Sequence, residues 1–165
     1  MISAIWVSAA AILLGASSAK ITDLSFSEFF EYGPRELKPS ATLLSLNGHR
    51  VRMVGFMAQM EMPPEGAFYL TPHPVSCDEE GAGTSDLPVS SVRVVVRSAK
   101  GKTISFIPSP VEVTGVLELG YQADDEGRVS AIRLILDNPD DWKRSHKKSR
   151  VSSRGIIRIS SRGIK

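Results

Sequence analysis

The chain has 165 residues, 42% hydrophobic and 23% charged, with a single cysteine and a formal net charge of +2. That length suits one domain of ordinary size with a real core, and the balance is neither that of a disordered nor of a fibrous chain. One cysteine excludes an intrachain disulfide framework and an all-cysteine zinc site, and no apolar run reaches the roughly 18 residues that a membrane span needs.

The net charge conceals an asymmetry. Residues 1–142 hold 11 of the 20 basic residues and all 18 acids, a charge of −7, whereas residues 143–165 hold the other nine basic residues and no acid, a charge of +9. An acidic globular part argues against nucleic acid as its partner, because phosphate neutralisation needs a basic face.

Residues 1–19 read as an export signal. Ala4-Ile5-Trp6-Val7 and Ala9 to Leu14 form an apolar core, and Ser17-Ser18-Ala19 places small residues at −3 and −1 of a cut before Lys20. No Lys or Arg precedes the apolar stretch, so the layout lacks the usual charged start. No cysteine stands at the cleavage point, so a lipid anchor is not expected. The expected location is periplasmic or secreted.

Residues 20–142 are expected to form one mainly β domain, a small OB-like β-barrel with one or two short N-terminal helices. Ser25-Phe26-Ser27-Glu28 has the spacing of a capping box, and Ser40 is placed to start a second short helix through Leu44 that ends at Asn47-Gly48. A strand follows from Arg50 to Met60, with Val51 and Met53 on one face and a change of parity at Gly55, which reads as a bulge or sharp bend. Phe68-Tyr69-Leu70 is a short strand stopped by Pro72. Val92 to Arg97 is another, with Val92, Val94 and Val96 inward, and a weaker one is expected over Thr103–Ile107. Val111, Val113, Gly115, Leu117 and Leu119 alternate with polar or mixed positions, the clearest period of two in the chain. Asp124-Asp125-Glu126-Gly127 forms a turn, and Ile132, Leu134 and Leu136 face one way in the last strand. A set of short strands with one bent at glycine suits a closed or partly open barrel, or a sandwich.

Gly55-Phe56-Met57, Phe68-Tyr69-Leu70-Thr71-Pro72, Cys77, Leu87-Pro88 and Val111-x-Val113-Thr114-Gly115-x-Leu117 occur in order over residues 45–137. With these motifs the chain resembles an exported bacterial family of unknown function with an OB-like β fold. The resemblance implies a periplasmic accessory protein of the cell envelope, associated with a transporter, and it supplies no catalytic residues. It departs from the family over Asp78–Thr84, where the family carries a proline-rich segment.

The segment His73 to Asp86 holds most of the chemistry-bearing side chains. Cys77 is followed by Asp78, Glu79 and Glu80, whose field raises a thiol pKa, so it is poorly placed as a nucleophile. No serine has elbow spacing, and Gly81-Ala82-Gly83-Thr84 lacks the Lys and hydroxyl of a phosphate loop. Asp124 to Glu126 lack the ligand pattern of a calcium loop. No catalytic set is expected, and the chain is not expected to be an enzyme. His73 and Cys77, joined by the thioethers of Met57, Met60 and Met62, form a soft donor set that copper or zinc would take. Core packing explains the same methionines equally well, and a polar loop over a buried thiol explains the rest. The leading expectation is therefore a non-catalytic exported binding or accessory module. It would hold an envelope protein or small ligand through loop 72–88, with Asp78, Glu79, Glu80 and Asp86 at its surface. The alternative is a soft-metal carrier.

Residues 143–165 repeat a Ser-Ser-Arg-Gly-Ile unit, at Ser152–Ile156 and again at Ser160–Ile164. The composition reads as a basic, disordered tail able to touch anionic surfaces, or as an unselected extension.

Overall fold

A computed structural model describes residues 20–33, 36–77, 84, 86–136 and 142. The export signal, the basic tail and the acids Asp78, Glu79 and Glu80 lie outside the described residues. In chain order the strands are β1 (Thr22–Asp23), β2 (Phe30–Tyr32), β3 (Leu37–Pro39), β4 (Arg50–Met57), β5 (Gln59–Met60), β6 (Ala67–Thr71), β7 (Ser76–Cys77), β8 (Val92–Val96), β9 (Val111–Ala123) and β10 (Val129–Leu136). One short helix, α1 (Ala41–Ser45), precedes β4. The fold is mainly β, and no described helix is long and apolar enough to cross a membrane.

Five of the strands pair in a closed circuit. β4 pairs with β6, β6 with β8, β8 with β10, β10 with β9, and β9 returns to β4. All these pairings are antiparallel except β8 with β10, which run parallel. Inside the ring Val51, Met53, Leu70, Val92, Val94, Val111, Val113, Leu117 and Leu134 are buried. Each such side chain contributes about 1.5–3 kcal/mol relative to exposure. The alternation expected for Val92, Val94 and Val96 and for Val111 to Leu117 is therefore the inward face.

The N-terminal segment closes one end of this core. Phe26–Glu28 forms a 3₁₀ turn with the expected capping box, in which Ser25 N donates to Glu28 Oε2 at 2.8 Å. Phe29 and Leu43 are fully buried, and Ser40 caps α1 by accepting from Leu43 N at 3.0 Å. The hydroxyl of Ser40 also donates to the carbonyl of Glu28, tying the cap to the preceding turn. β1 lies parallel to the start of β4, and the β2–β3 hairpin was not foreseen because its residues carry no alternation.

Three local expectations are corrected. The parity of β4 does not change at Gly55, since Val51, Met53, Gly55 and Met57 are all buried on one face. Gly55 instead marks a change of partner: β4 follows β9 as far as Gly55↔Val111 and then joins β6 at Phe56↔Thr71. A Cβ there would lie 2.7 Å from the Thr71 carbonyl oxygen, so the glycine permits close approach. The expected strand at Thr103–Ile107 is only a single bridge, Glu65↔Thr103, with Ile104 and Ile107 packed against the core. Finally, β5 ends at Met60, and Met62 lies outside it and is 68% exposed, so the two do not share a strand face.

Candidate functional site

Strands β6, β8 and β10 are buried on both faces for most of their length, so their outward side chains need cover and partners. Register sets those side chains in a row. Tyr69 stands opposite Arg93, Arg93 beside Arg133, and Arg133 opposite Glu118. The β9–β10 hairpin turns its far end over this row, and Asp124 at its tip lies 2.7 Å from Arg93 Nη1. The tip is stiffened by its own turn: Asp124 Oδ1 accepts from Glu126 N at 3.0 Å and Arg128 N at 2.7 Å, and Gly127 takes φ 78°. Arg133 Nη1 donates to Gly120 O at 2.7 Å and Ser130 O at 3.0 Å, holding the hairpin to the sheet.

The row is balanced in charge but not in hydrogen bonds. Arg93 pairs with Asp124, Arg128 with Glu126, and Arg133 Nε lies 3.6 Å from Glu118. The Tyr69 hydroxyl, Arg93 Nε, Arg128 Nη1, Arg133 Nε and Asp124 Oδ2 are nevertheless buried with no hydrogen-bond partner among the described residues. Asp124 Oδ2 is close to Arg93 in distance but not aligned as a hydrogen bond. A buried donor left unspent costs about 1–3 kcal/mol, so a cluster of them calls for an occupant such as water or a ligand. Burial pushes the Tyr69 phenol above its ordinary pKa, Arg93 pulling the other way, so it stays a donor at neutral pH. Burial also raises the Asp124 carboxyl, but the Arg128 backbone N–H, the Arg93 guanidinium and the Glu126 N–H outweigh it and hold the group below the usual carboxylate value.

Beside the row lies a pocket of about 140 Å³ lined by Met57, Met60, Phe68, Tyr69, Ile104 and Phe106 among others. Its walls are the start and end of the loop between β4 and β6 and the irregular segment that replaces the expected strand at 103–107. Tyr69 belongs to both the pocket and the polar row. A larger open depression of about 440 Å³, lined by Asp23, Ser25, Glu28, Arg52 and Glu112, is a weaker candidate. Its charges are engaged locally: Arg52 grips Asp23 at 2.5 and 2.9 Å, and Glu28 is held by Ser25 N. The hydrogen bond from Arg52 lowers the Asp23 pKa accordingly.

The structure gathers part of the sequence-based donor set. Met57 and Met60 line the pocket, and Cys77 stands opposite Met60 in the parallel β5–β7 ladder, buried. His73, Met62 and Asp86 are exposed. Among the described residues, no group of three or more His, Cys, Asp or Glu converges as a metal site would require. Sequence reasoning missed Tyr69, Arg93, Arg128 and Arg133. A lone Arg flanked by valine or leucine in two strands was the available sign, but its meaning depends on the hairpin that covers it.

The sequence matches no protein-family model and no curated protein. Among solved structures, the chain is similar to a DUF3299 family protein from Pseudomonas aeruginosa. Identity is 14%, the match covers 72% of this chain and 94% of the other, and the TM-score is 0.45.

Proposed function

We propose that this chain is a non-catalytic binding module of OB type, exported and acting as an accessory to an envelope protein or small ligand. The observation that carries the reading is the set of unspent donors around Tyr69 and Arg93 beside an open pocket. Its position fits. The circuit runs first, second, third, fifth and fourth strand, as an OB barrel would, with β6 and β8 as its second and third strands. OB proteins bind ligands on that face and on the loops between strands one and two and between four and five. Here those are residues 58–66 and 124–128, which carry Met60 and Arg128. The binding surface is thus read as this face, in place of loop 72–88. The apolar stretch over residues 1–19 supports export, and the acidic charge of residues 1–142 supports a partner other than nucleic acid.

Native mass spectrometry of the full chain, isolated under mild conditions from the exported fraction of its source cells, tests this. Wild type should carry a bound molecule or partner that the Tyr69→Phe/Arg93→Met variant lacks. Equal occupancy in both, or a chain that remains in the cytoplasm with residues 1–19 attached, refutes the reading.

A second reading, a copper or zinc carrier, is favoured by Met57 and Met60 sharing one pocket with Cys77 beside Met60. Two thioethers and a thiolate suit a soft ion such as Cu(I). Metal analysis of the same material decides it: one ion per chain, lost in Cys77→Ser, supports the carrier, and none under reducing conditions retires it.

A further inference from the structure

We infer that the pocket beside Tyr69 takes an uncharged amphipathic molecule, a ring-sized apolar group bearing a carbonyl or hydroxyl oxygen that accepts from the Tyr69 hydroxyl. The inference rests on the binding-module reading and names its ligand class. Size comes first. A cavity of about 140 Å³ walled by Met57, Met60, Phe68, Ile104 and Phe106 matches one six-membered ring; an apolar cavity of about 150 Å³ stays dry and accepts benzene. Thioether walls adapt their shape to such a guest.

Charge comes second. The adjoining row sets three guanidinium groups, Arg93, Arg128 and Arg133, against three carboxylates, Asp124, Glu126 and Glu118. The side chains of Arg93 and Asp124 are only 10% and 11% exposed. A ligand with a full charge would unbalance a compensated, poorly hydrated environment and lose its own hydration, a penalty no counter-charge is left to repay. Hydrogen bonding comes third. The unspent groups are three guanidinium N–H positions and a phenol, against a single carboxylate oxygen, so what is missing is an acceptor. A neutral oxygen supplies it without altering the charge balance.

Trp142 reports on the site. Its ring lies 5.4 Å from Phe68, which lines the pocket, and the only other tryptophan is Trp6. In the full chain carrying Trp6→Phe, fluorescence is titrated with cyclohexanecarboxamide, cyclohexanecarboxylate and cyclohexylammonium, none of which absorbs where Trp is excited. The carboxamide should give a saturable change with a Kd from high micromolar to millimolar, as about nine heavy atoms allow. Both charged probes should bind at least about tenfold more weakly. Tyr69→Phe should weaken the carboxamide about three- to tenfold, the worth of one neutral hydrogen bond. Phe106→Ala, at the exposed rim, should weaken all three probes while leaving the fold intact. Carboxylate or ammonium binding as tight as the carboxamide overturns the inference, as does an unchanged affinity in Tyr69→Phe. So does the absence of saturation by any probe, which would leave water as the occupant. These failures stay separate from that of the parent reading: if no ring probe binds but Tyr69→Phe/Arg93→Met still strips the native partner, only the ligand class is wrong.

Discussion

Replacing Gly115 by Ala sets two physical effects against each other. Gly115 is not among the glycines with positive φ, so an alanine fits its backbone conformation. On that ground alone, Gly→Ala in a strand should stabilise by about 0.5–1 kcal/mol, because the unfolded chain loses freedom. Packing opposes it. An added Cβ would lie 2.4 Å from the Ile135 carbonyl oxygen, 2.9 Å from its carbonyl carbon and 3.1 Å from Leu134 Cγ. Ordinary contact starts near 3.5 Å, so β9 and β10 would have to part by about 1 Å. Two of the three obstructing atoms are backbone, so no side chain can swing aside. Overpacking costs about 1–3 kcal/mol and occasionally more, and this site belongs at the top of that range. The net expectation is a loss of about 2–3 kcal/mol. Urea unfolding followed by far-UV circular dichroism measures it: with a slope of about 1.5 kcal/mol/M, the midpoint should fall by roughly 1.5–2 M at unchanged slope. A midpoint equal to or above wild type would show that the two strands do not meet as closely as described.

Three further outcomes are expected. Because Asp124 is held below the usual carboxylate pKa, its stabilisation is fully present above the unfolded value of about 3.9 and is lost as pH falls through the lower folded value. Asp124→Asn should therefore be less stable at neutral pH and lose less on acidification below about pH 4; parallel pH profiles for the two proteins would contradict the Arg93–Asp124 pairing. Tyr69→Phe removes a buried hydroxyl without a partner and should gain about 1 kcal/mol, raising Tm by about 4 °C, whereas a fall in Tm would reveal a partner for the phenol. Ser40→Ala removes both the cap on Leu43 N and the tie to Glu28 O and should cost about 1–2 kcal/mol in thermal unfolding; a cost near zero would mean that water replaces the cap.

What the sequence disclosed follows from which signals are local. The alternation of Val111 to Leu117 and of Val92 to Val96 reported real inward faces, since a period of two records burial directly. The caps at Ser25 and Ser40 were legible because they need residues only three apart. Gly55 was flagged as a bend but misread as a shift of parity. The cause of its constraint, the Thr71 carbonyl, lies sixteen residues away and leaves no local trace. Segment 103–107 has strand-forming residues but no free edge to join, so tertiary context overrode propensity. The polar row was the least legible part. Arg93 and Arg133 look like ordinary outward charges until the far end of the β9–β10 hairpin covers them, and that fold-over depends on Asp124, some thirty residues from Arg93. The soft donor set was half gathered: strand pairing brought Cys77 to Met60, while His73 and Met62 stayed in solvent.

The seam between β4 and β9 also governs when the protein can become itself. Residues 50–55 find their partners only at 111–116, so the circuit stays open until most of the chain is available. Long-range closure of this kind slows folding and leaves a strand edge bare in the meantime. A chain delivered N-terminus first, from a ribosome or through a translocation channel, presents β4 well before its mate emerges. During that interval its unsatisfied backbone is a target for a holdase or for a sister molecule, which makes the seam the step where yield is won or lost.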